Sequence, residues 1–455
     1  MIEDKPTKIT ILGAGLVGTL LSIYLAKRNF EVHVFERRPD FRQANVDVGR
    51  SINLAVSDRG WKALEVLGID QEIRKIAIPM YGRMIHHQDG TVKHQPYGKE
   101  NQAIYSLSRR YFNETLVNIA DTHENVHFHF NEKCWDVNMT DAITHSENTI
   151  TGERLNVKAD VIFGADGAFS SVRNAMLKTE RYNYSQTYLE HGYKELTIPA
   201  GENGQHQLSP NALHIWPRGK FMLIALPNAD GTFTCTLFLP FKGDASFDKL
   251  HNAAALNQFF LKTFADVVPL MPNLNKEFFK NPTSSLVSIS CYPWCYENKV
   301  ALIGDAAHSM VPFYGQGMNA GFEDVRELDA IIDKHGNDWF AILEEYQQMR
   351  KLNTDAISEL ARQNFVEMRD FVANESFLLR KKIEAFLHEK YPKRWTPLYS
   401  MVTFSQIPYA DAMEEGNRQN EIMDRIMTIV DIENIWQSVD YESYLSTMHE
   451  VQRAL

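Results

Sequence analysis

Gly13-Ala14-Gly15-Leu16-Val17-Gly18 can bring backbone amides against a phosphate, and Glu36 lies 23 residues beyond its first glycine. Together they suit an adenine dinucleotide. The first glycine allows a tight turn, the second admits a pyrophosphate close to the backbone, and the third lets a helix pack on its strand with its N-terminus facing the anion. A carboxylate at the end of the next strand then binds the ribose hydroxyls. A second constellation, Gly164-Ala165-Asp166-Gly167, leads into a helix carrying Arg173, and can set amides, an acid and a cation beneath the same ligand. In a third, a buried strand ends in Gly304-Asp305, where the carboxylate can bind a hydroxyl. Gly315, Gly317 and Gly321 then free the backbone to approach a ring system. The helix beginning near Met318 points its amides at that ring, which favours an oxygen carrying negative charge.

These residues need elements to hold them. The spacing predicts a strand over 8–12, a helix over 20–27 and a second strand over 32–35. Residues 41–60 read as loop, and Trp61, Leu64, Leu67 and Ile73 predict a helix over 61–76. Residues 83–87, the Asp89-Gly90 turn and 92–97 predict a hairpin. A helix is expected over 109–120, and strands over 127–129 and 160–163. Short strands at 193–198, 211–216, 221–226 and 232–238, separated by turns, predict antiparallel sheet, to which 286–291 can return. Residues 299–303 form a further buried strand, and helical spacing runs from Trp339 to about Lys390. The fold class is α/β: a Rossmann-type dinucleotide-binding domain, an inserted antiparallel β-sheet substrate domain and a C-terminal helical region. The nucleotide-binding domain takes 1–75, 101–180 and 291–335; the substrate domain takes the hairpin 76–100 and the sheet 181–290; the helices take 336–455.

The chain has 455 residues, 44% of them hydrophobic, and a formal net charge of −11. That acidic balance argues against nucleic acid as the main partner. Cys134, Cys235, Cys291 and Cys295 match no CxxC or zinc spacing, so no metal is expected and the thiols read as free in a reducing compartment. The start of the chain offers no signal peptide and no apolar run is long enough to span a bilayer, so a cytoplasmic protein without an integral membrane segment is expected.

The three glycine-rich motifs, in this order, resemble those of the single-component FAD-dependent aromatic hydroxylases, the class A flavoprotein monooxygenases. The resemblance implies that FAD occupies the one Rossmann unit and that NADPH binds transiently as co-substrate. For the cofactor it implies Gly13, Gly15, Leu16, Val17, Gly18, Glu36, Arg37, Arg38, Ala55, Arg109, Asp166, Asp305, Gly317, Met318 and Asn319. Arg37 and Arg38 could alternatively suggest a 2′-phosphate site, but Glu36 would repel that group. His308 reads as structural.

Longer segments are similar to the kynurenine-hydroxylating branch of that family. They are Gly49–Ala55, Arg83-Met84-Ile85-His86, Pro96-Tyr97-Gly98, Leu213-His214-Ile215-Trp216-Pro217-Arg218, 312–319 and 397–404. The resemblance implies L-kynurenine and O₂ as substrates, with hydroxylation beside the aromatic amine through a flavin C4a-hydroperoxide and no protein nucleophile. The substrate carboxylate calls for a bidentate cation, for which Arg83 is the candidate. Tyr97 could donate to the same carboxylate and Phe313 would supply an apolar wall. Asn364 and Tyr399 by themselves read as a helix-surface residue and a core tyrosine, and the resemblance assigns both to the substrate. Another aminoaryl or phenolic acid is the alternative substrate, and a flavin-holding sensor the alternative class. The charged residues after about Ile407 resemble the soluble bacterial form of the family, and helices over 417–455 are expected to cover the substrate domain.

Overall fold

The computed structural model describes residues 6–43, 53–98, 101–367 and 375–445. One layer is a six-stranded sheet of β1 (Lys8–Leu12), β2 (Glu31–Glu36), β8 (Val126–Phe130), β12 (Val161–Gly164), β18 (Cys295–Tyr296) and β19 (Val300–Leu302). The order is β18-β19-β12-β1-β2-β8, parallel except between β18 and β19. Ile9, Ile11 and Leu12 are buried, as are Val161, Ile162 and Phe163 and all of β19, the pattern of parallel strands covered on both faces. The helix α1 (Leu16–Lys27) starts earlier than its apolar spacing suggests, because the glycine run is itself the entry to the first turn. The Gly49–Ala55 segment lies partly outside the described residues.

The expected loop over 41–60 and helix over 61–76 need correction. Leu54–Val56 is a strand, β3, and pairs in a small sheet with β7 (Ile104–Leu107), which also pairs with β4 (Ile78–Met80). The helix α2 (Asp58–Leu67) ends at Gly68, whose φ is 72°, and α3 (Asp70–Arg74) follows. Arg59 on α2 is wholly buried, so hydropathy places the start of this helix too late. A polar meander of β9 (Glu132–Asn138), β10 (Ile143–Asn148) and β11 (Arg154–Lys158) adds an antiparallel sheet that no apolar alternation announces. α4 (Arg109–Ala120) and α5 (Ser171–Met176) complete this half.

The second large sheet holds β5 (Gly82–His86), β6 (Val92–Pro96), β13 (Asn183–Ile198), β14 (Ala212–Pro217), β15 (Met222–Pro227), β16 (Phe233–Pro240) and β17 (Ser284–Tyr292). Its order is β17-β13-β16-β15-β14-β5-β6. It is antiparallel with one exception: β5 joins β14 in parallel, Arg83 opposite Leu213 and Ile85 opposite Ile215. The exception arises because β5 comes from a distant segment, not from a hairpin turn at β14. One face of the sheet packs Ile85, Ile215, Met222 and Phe238 with Phe313, Leu360 and Met401. The reverse face packs Trp216, Leu223 and Leu237 under α6 (Ala253–Thr263) and α7 (Leu274–Lys280).

The short α8 (Asp305–His308) leads to α9 (Gly317–His335) and α10 (Trp339–Val366). The helical run expected to about Lys390 is divided: α11 (Glu375–Lys390) is a separate helix, and 368–374 lie outside the described residues. α12 (Leu398–Thr403), α13 (Tyr409–Met427), α14 (Ile432–Ile435) and α15 (Glu442–Leu445) follow. Residues 417–445 do not form a cover over the substrate sheet. Ile422, Met423, Ile426, Ile432 and Tyr441 build a core of their own with Ile383, Leu387 and Trp395, the two α11 residues being one turn apart on the same face. Residues 446–455 lie outside the described set.

A buried charge cluster joins these parts. Glu323 of α9 accepts from Arg59 at 2.6 Å and forms an ion pair with Arg350 at 2.8 Å. Its neighbour Asp324 accepts from Arg350 Nε at 2.7 Å and pairs with His308 Nε2 at 2.5 Å. Arg59 also donates from Nε to Val402 O at 2.9 Å and from Nη2 to Ile407 O, which fastens the C-terminal segment to α2. Burial alone would raise both acid pKa values, but the arginines (and, for Asp324, His308) hold them below the ordinary range. Removing one member leaves opposite charges buried without a partner. Glu323→Ala is therefore expected to cost about 3–5 kcal/mol, read as a lower urea midpoint by circular dichroism; an unchanged midpoint would refute the cluster's role.

Candidate functional site

A cavity of about 560 Å³ lies between the two large sheets, within the roughly 300–1,000 Å³ typical of small-molecule sites. Where it meets the six-stranded sheet its walls are Gly13, Gly15, Leu16, Val17, Glu36, Arg37 and Arg38. Ala55, Arg109, Asp166, Asp305, Gly317 and Met318 continue the wall, and Arg83, Tyr97, Phe313 and Tyr399 line it beside the seven-stranded sheet. Gly18, Asn319 and Asn364, expected at the ligands, are not among the lining residues.

At the first end the β1–α1 turn is dictated by close backbone approach. Gly13 has φ 107°, donates its N–H to Phe35 O at 2.8 Å, and a Cβ there would fall 2.5 Å from Ala165 O. Gly18 serves the same turn from behind, since a Cβ on it would fall 2.0 Å from Gly13 O. At Gly15, by contrast, a Cβ would meet nothing within 4 Å, so the backbone is open to the cavity.

Glu36 ends β2 and is buried. Its Oε2 accepts from Ala14 N at 3.0 Å, and its Oε1 from Arg38 N at 3.0 Å and Arg38 Nε at 2.8 Å. Burial would raise its pKa, but the Arg38 bonds prevail and hold the carboxyl below its usual range. Asp166 accepts from Ser171 N at 2.6 Å through Oδ2, while its Oδ1 is buried with no hydrogen-bond partner among the described residues, and burial lifts its pKa. A buried acceptor without a donor is costly unless a ligand completes it. The open Gly15 backbone, ionised Glu36 and incomplete Asp166 fit a ligand carrying phosphate and hydroxyls. Arg109 stands exposed in the first turn of α4, and Asp305 opens α8. Asn319 fastens the surrounding loops: its Oδ1 accepts from Ser57 N at 3.0 Å, and its Nδ2 donates to Ala55 O at 2.9 Å and Gly315 O at 2.8 Å.

At the other end, the Arg83 guanidinium carbon lies 5.4 Å from the Tyr97 ring centroid and 5.1 Å from that of Tyr399. The two tyrosine rings stack at 5.4 Å. Burial disfavours the Arg83 charge, but the tyrosine oxygens and Glu367 favour it more strongly, and it stays a cation. Burial also lifts the Tyr97 and Tyr399 pKa values, so both hydroxyls keep their protons. Arg83 Nε and the Tyr97 hydroxyl are buried without a hydrogen-bond partner among the described residues. Such an arrangement calls for an anionic acceptor. Phe313 stacks on Phe365 at 4.1 Å and leans on Phe238 at 5.0 Å. Asn364 holds that wall from behind, donating Nδ2 to Phe313 O at 2.7 Å. His308 is taken up by Asp324, away from the cavity lining.

Glu132, Lys133, Cys134, Phe169, Tyr314 and Gln316 also line the cavity and were not foreseen. The β9 residues carry no motif. Tyr314 and Gln316 lie in the aromatic and glycine-rich run 312–319, which was a visible signal.

A family model described as an FAD binding domain matches residues 6–210 and 280–361. A kynurenine 3-monooxygenase of Flavobacterium johnsoniae is 51% identical over 436 residues, covering 96% of this chain and 97% of its own. The enzyme of the same name from Dictyostelium discoideum is 46% identical over 448 residues and covers 96% of both chains; that of Anopheles gambiae is 43% identical over 94% of this chain and 88% of its own. Among solved structures, 2-methyl-3-hydroxypyridine-5-carboxylic acid oxygenase aligns with a TM-score of 0.67 at 18% identity, over 81% of this chain and 94% of that one. PqsL of Pseudomonas aeruginosa aligns at 0.63 and 17%, over 80% and 97%. These structural likenesses carry the fold. No helix among the described residues is long and apolar enough to cross a membrane.

Glu36→Ala should loosen the bound flavin, seen as loss of yellow colour on gel filtration. Because the Glu36 pKa lies below its ordinary value, this contribution is complete above the usual carboxylate range and fades as pH falls below it. Flavin retention equal to that of the parent chain at neutral pH would contradict this role.

Proposed function

Since this chain belongs to the FAD-dependent kynurenine 3-monooxygenase family, we propose that it hydroxylates L-kynurenine at the ring carbon beside the amine. NADPH, a proton and O₂ are consumed; 3-hydroxykynurenine, NADP⁺ and water leave. The observation that carries this reading is the buried Arg83 cation lining the cavity, whose Nε, like the neighbouring Tyr97 hydroxyl, has no hydrogen-bond partner among the described residues.

FAD, when bound, supplies the activation of O₂ and the transfer of one oxygen atom. Gly13, Gly15, Leu16 and Val17 would receive the pyrophosphate, with Gly15 leaving its backbone open to it, and Glu36 would accept from ribose hydroxyls. Arg37, Arg38, Ala55, Arg109, Asp166, Asp305, Gly317 and Met318 complete its bed, with Gly18 and Asn319 shaping that bed from outside. Arg83 takes the substrate carboxylate in a forked pair and Tyr97 adds a third donor. Phe313, held by Asn364 and Phe365, keeps the aromatic ring in an apolar slot, with Tyr399 closing the opposite side. Such anchoring at the amino-acid end orients the ring and excludes water, which is the work left to the protein when no side chain acts as nucleophile.

Purified protein should be yellow, and kynurenine should accelerate NADPH oxidation with a product heavier by one oxygen, whereas anthranilate and hydroxybenzoate should not. Hydrogen peroxide without hydroxylated product would sink the reading. Arg83→Ala should weaken kynurenine binding by about 2–5 kcal/mol while leaving FAD content unchanged; parental affinity would remove Arg83 from the site.

A further inference from the structure

The Arg83–His86 and 213–218 segments place only alternate residues toward the cavity. Arg83 and Leu213 line it, whereas His86, His214 and Trp216 lie buried on the reverse face of the sheet. There they form one run of hydrogen bonds. Asp266 Oδ2 meets His86 Nδ1 at 3.2 Å, His86 Nε2 meets His214 Nδ1 at 2.9 Å, and His214 Nε2 meets Ser209 O at 2.9 Å. Trp216 Nε1 donates to the same Asp266 oxygen at 2.7 Å, and its ring stacks on His86 at 4.1 Å. Arg218 donates from Nη1 to His86 O at 2.9 Å and from Nε to Thr263 O at 2.5 Å.

The donors and acceptors can be assigned from chemistry. A carbonyl only accepts, so His214 Nε2 carries a proton, and burial keeps this ring neutral with a pKa pushed down to about 4. Its Nδ1 therefore accepts from His86 Nε2. His86 Nδ1 then faces the Asp266 carboxylate. Burial works against the Asp266 charge, but the His86 and Trp216 bonds hold its pKa below the ordinary value.

This run crosses the parallel seam of the sheet. β5 is attached through a parallel pair of four residues with β14, and beyond it lies only the edge strand β6. A slip of one residue would turn Arg83 to the reverse face. Apolar side chains would allow neighbouring registers, whereas the two imidazoles meet in one.

We propose that Asp266, His86 and His214 are positioning residues for Arg83, pinning β5 to β14 in the register that sets the guanidinium in the cavity and so determining affinity for the substrate carboxylate. The proposal rests on the reading of Arg83 given above.

His214→Gln and His214→Phe test it in the FAD-loaded enzyme. The amide offers the same acceptor to His86 and donor to Ser209 O; the phenyl ring offers neither. His214→Phe should raise the kynurenine KM about tenfold with kcat and FAD content held, His214→Gln should stay within about threefold of the parent, and in an Arg83→Ala background His214→Phe should raise KM no further. An unchanged KM in His214→Phe, or an equal rise with and without Arg83, overturns the proposal. Should His214→Phe not fold, Asp266→Asn must show the same KM-selective loss, and parental KM there overturns it too. A parent enzyme indifferent to kynurenine would overturn the functional reading and the proposal together; a responsive parent with insensitive variants overturns the proposal alone.

Discussion

Two adjacent carboxylates buried on one helix fix how the halves of this molecule meet. Glu323 and Asp324 stand on α9 and are held by Arg59 from α2 and Arg350 from α10, with His308 of α8 on the second acid. Arg59 and Arg350, with Arg326 at 3.7 Å from Glu323, meet the two carboxylate charges, and each ion would be prohibitively expensive there alone. Four helices must therefore arrive together or not at all. The cavity inherits that rigidity. Gly317 and Met318 at the start of α9 line it, Asp305 opens α8, and Tyr409, under Arg59 at 3.9 Å, donates to Gln316 Oε1 at 2.9 Å.

The other wall is built on a different plan. Its sheet has a cavity face of apolar and tyrosine side chains and a reverse face sealed by α6 and α7. The cation on the cavity face sits on β5, a strand borrowed from a distant part of the chain. Local sequence cannot aim such a strand, so side chains on its reverse face must do so. The same logic holds at Phe313, whose carbonyl is caught by Asn364 and whose ring is stacked on Phe365. Residues that never touch the cavity decide where the residues lining it point.

This division also explains what the sequence could and could not disclose. The β1–α1–β2 unit was legible because a glycine turn and an acid at a strand end have few other uses, and Glu36 indeed ends β2. Arg83, Tyr97, Phe313 and Tyr399 were legible through resemblance, and they line one cavity. Gly18, Asn319 and Asn364 were read with the ligands; they support the turn, the loops and the wall and are not among the residues lining the cavity. A motif marks the neighbourhood of a ligand and does not separate touching from supporting residues. The β9–β11 meander was missed because its strands are polar, and the start of α2 because its buried residue is an arginine. The parallel β5–β14 pair was hidden because strand direction across a long insertion leaves no local pattern.

Charge along the cavity gives these placements a common direction. Glu36 is compensated by Arg38, whereas Arg83 has no carboxylate within ion-pair distance among the described residues. In a chain of formal net charge −11, an anionic group approaches against the overall field, so attraction must be local and desolvated to prevail. A pyrophosphate can be met by backbone amides at the first end without added charge, leaving the buried cation at the second end for the carboxylate of a smaller molecule. Under the proposed function this polarity would orient both occupants: the dinucleotide with its phosphates at the β1–α1 turn, the substrate with its carboxylate at Arg83 and its aromatic ring toward the flavin.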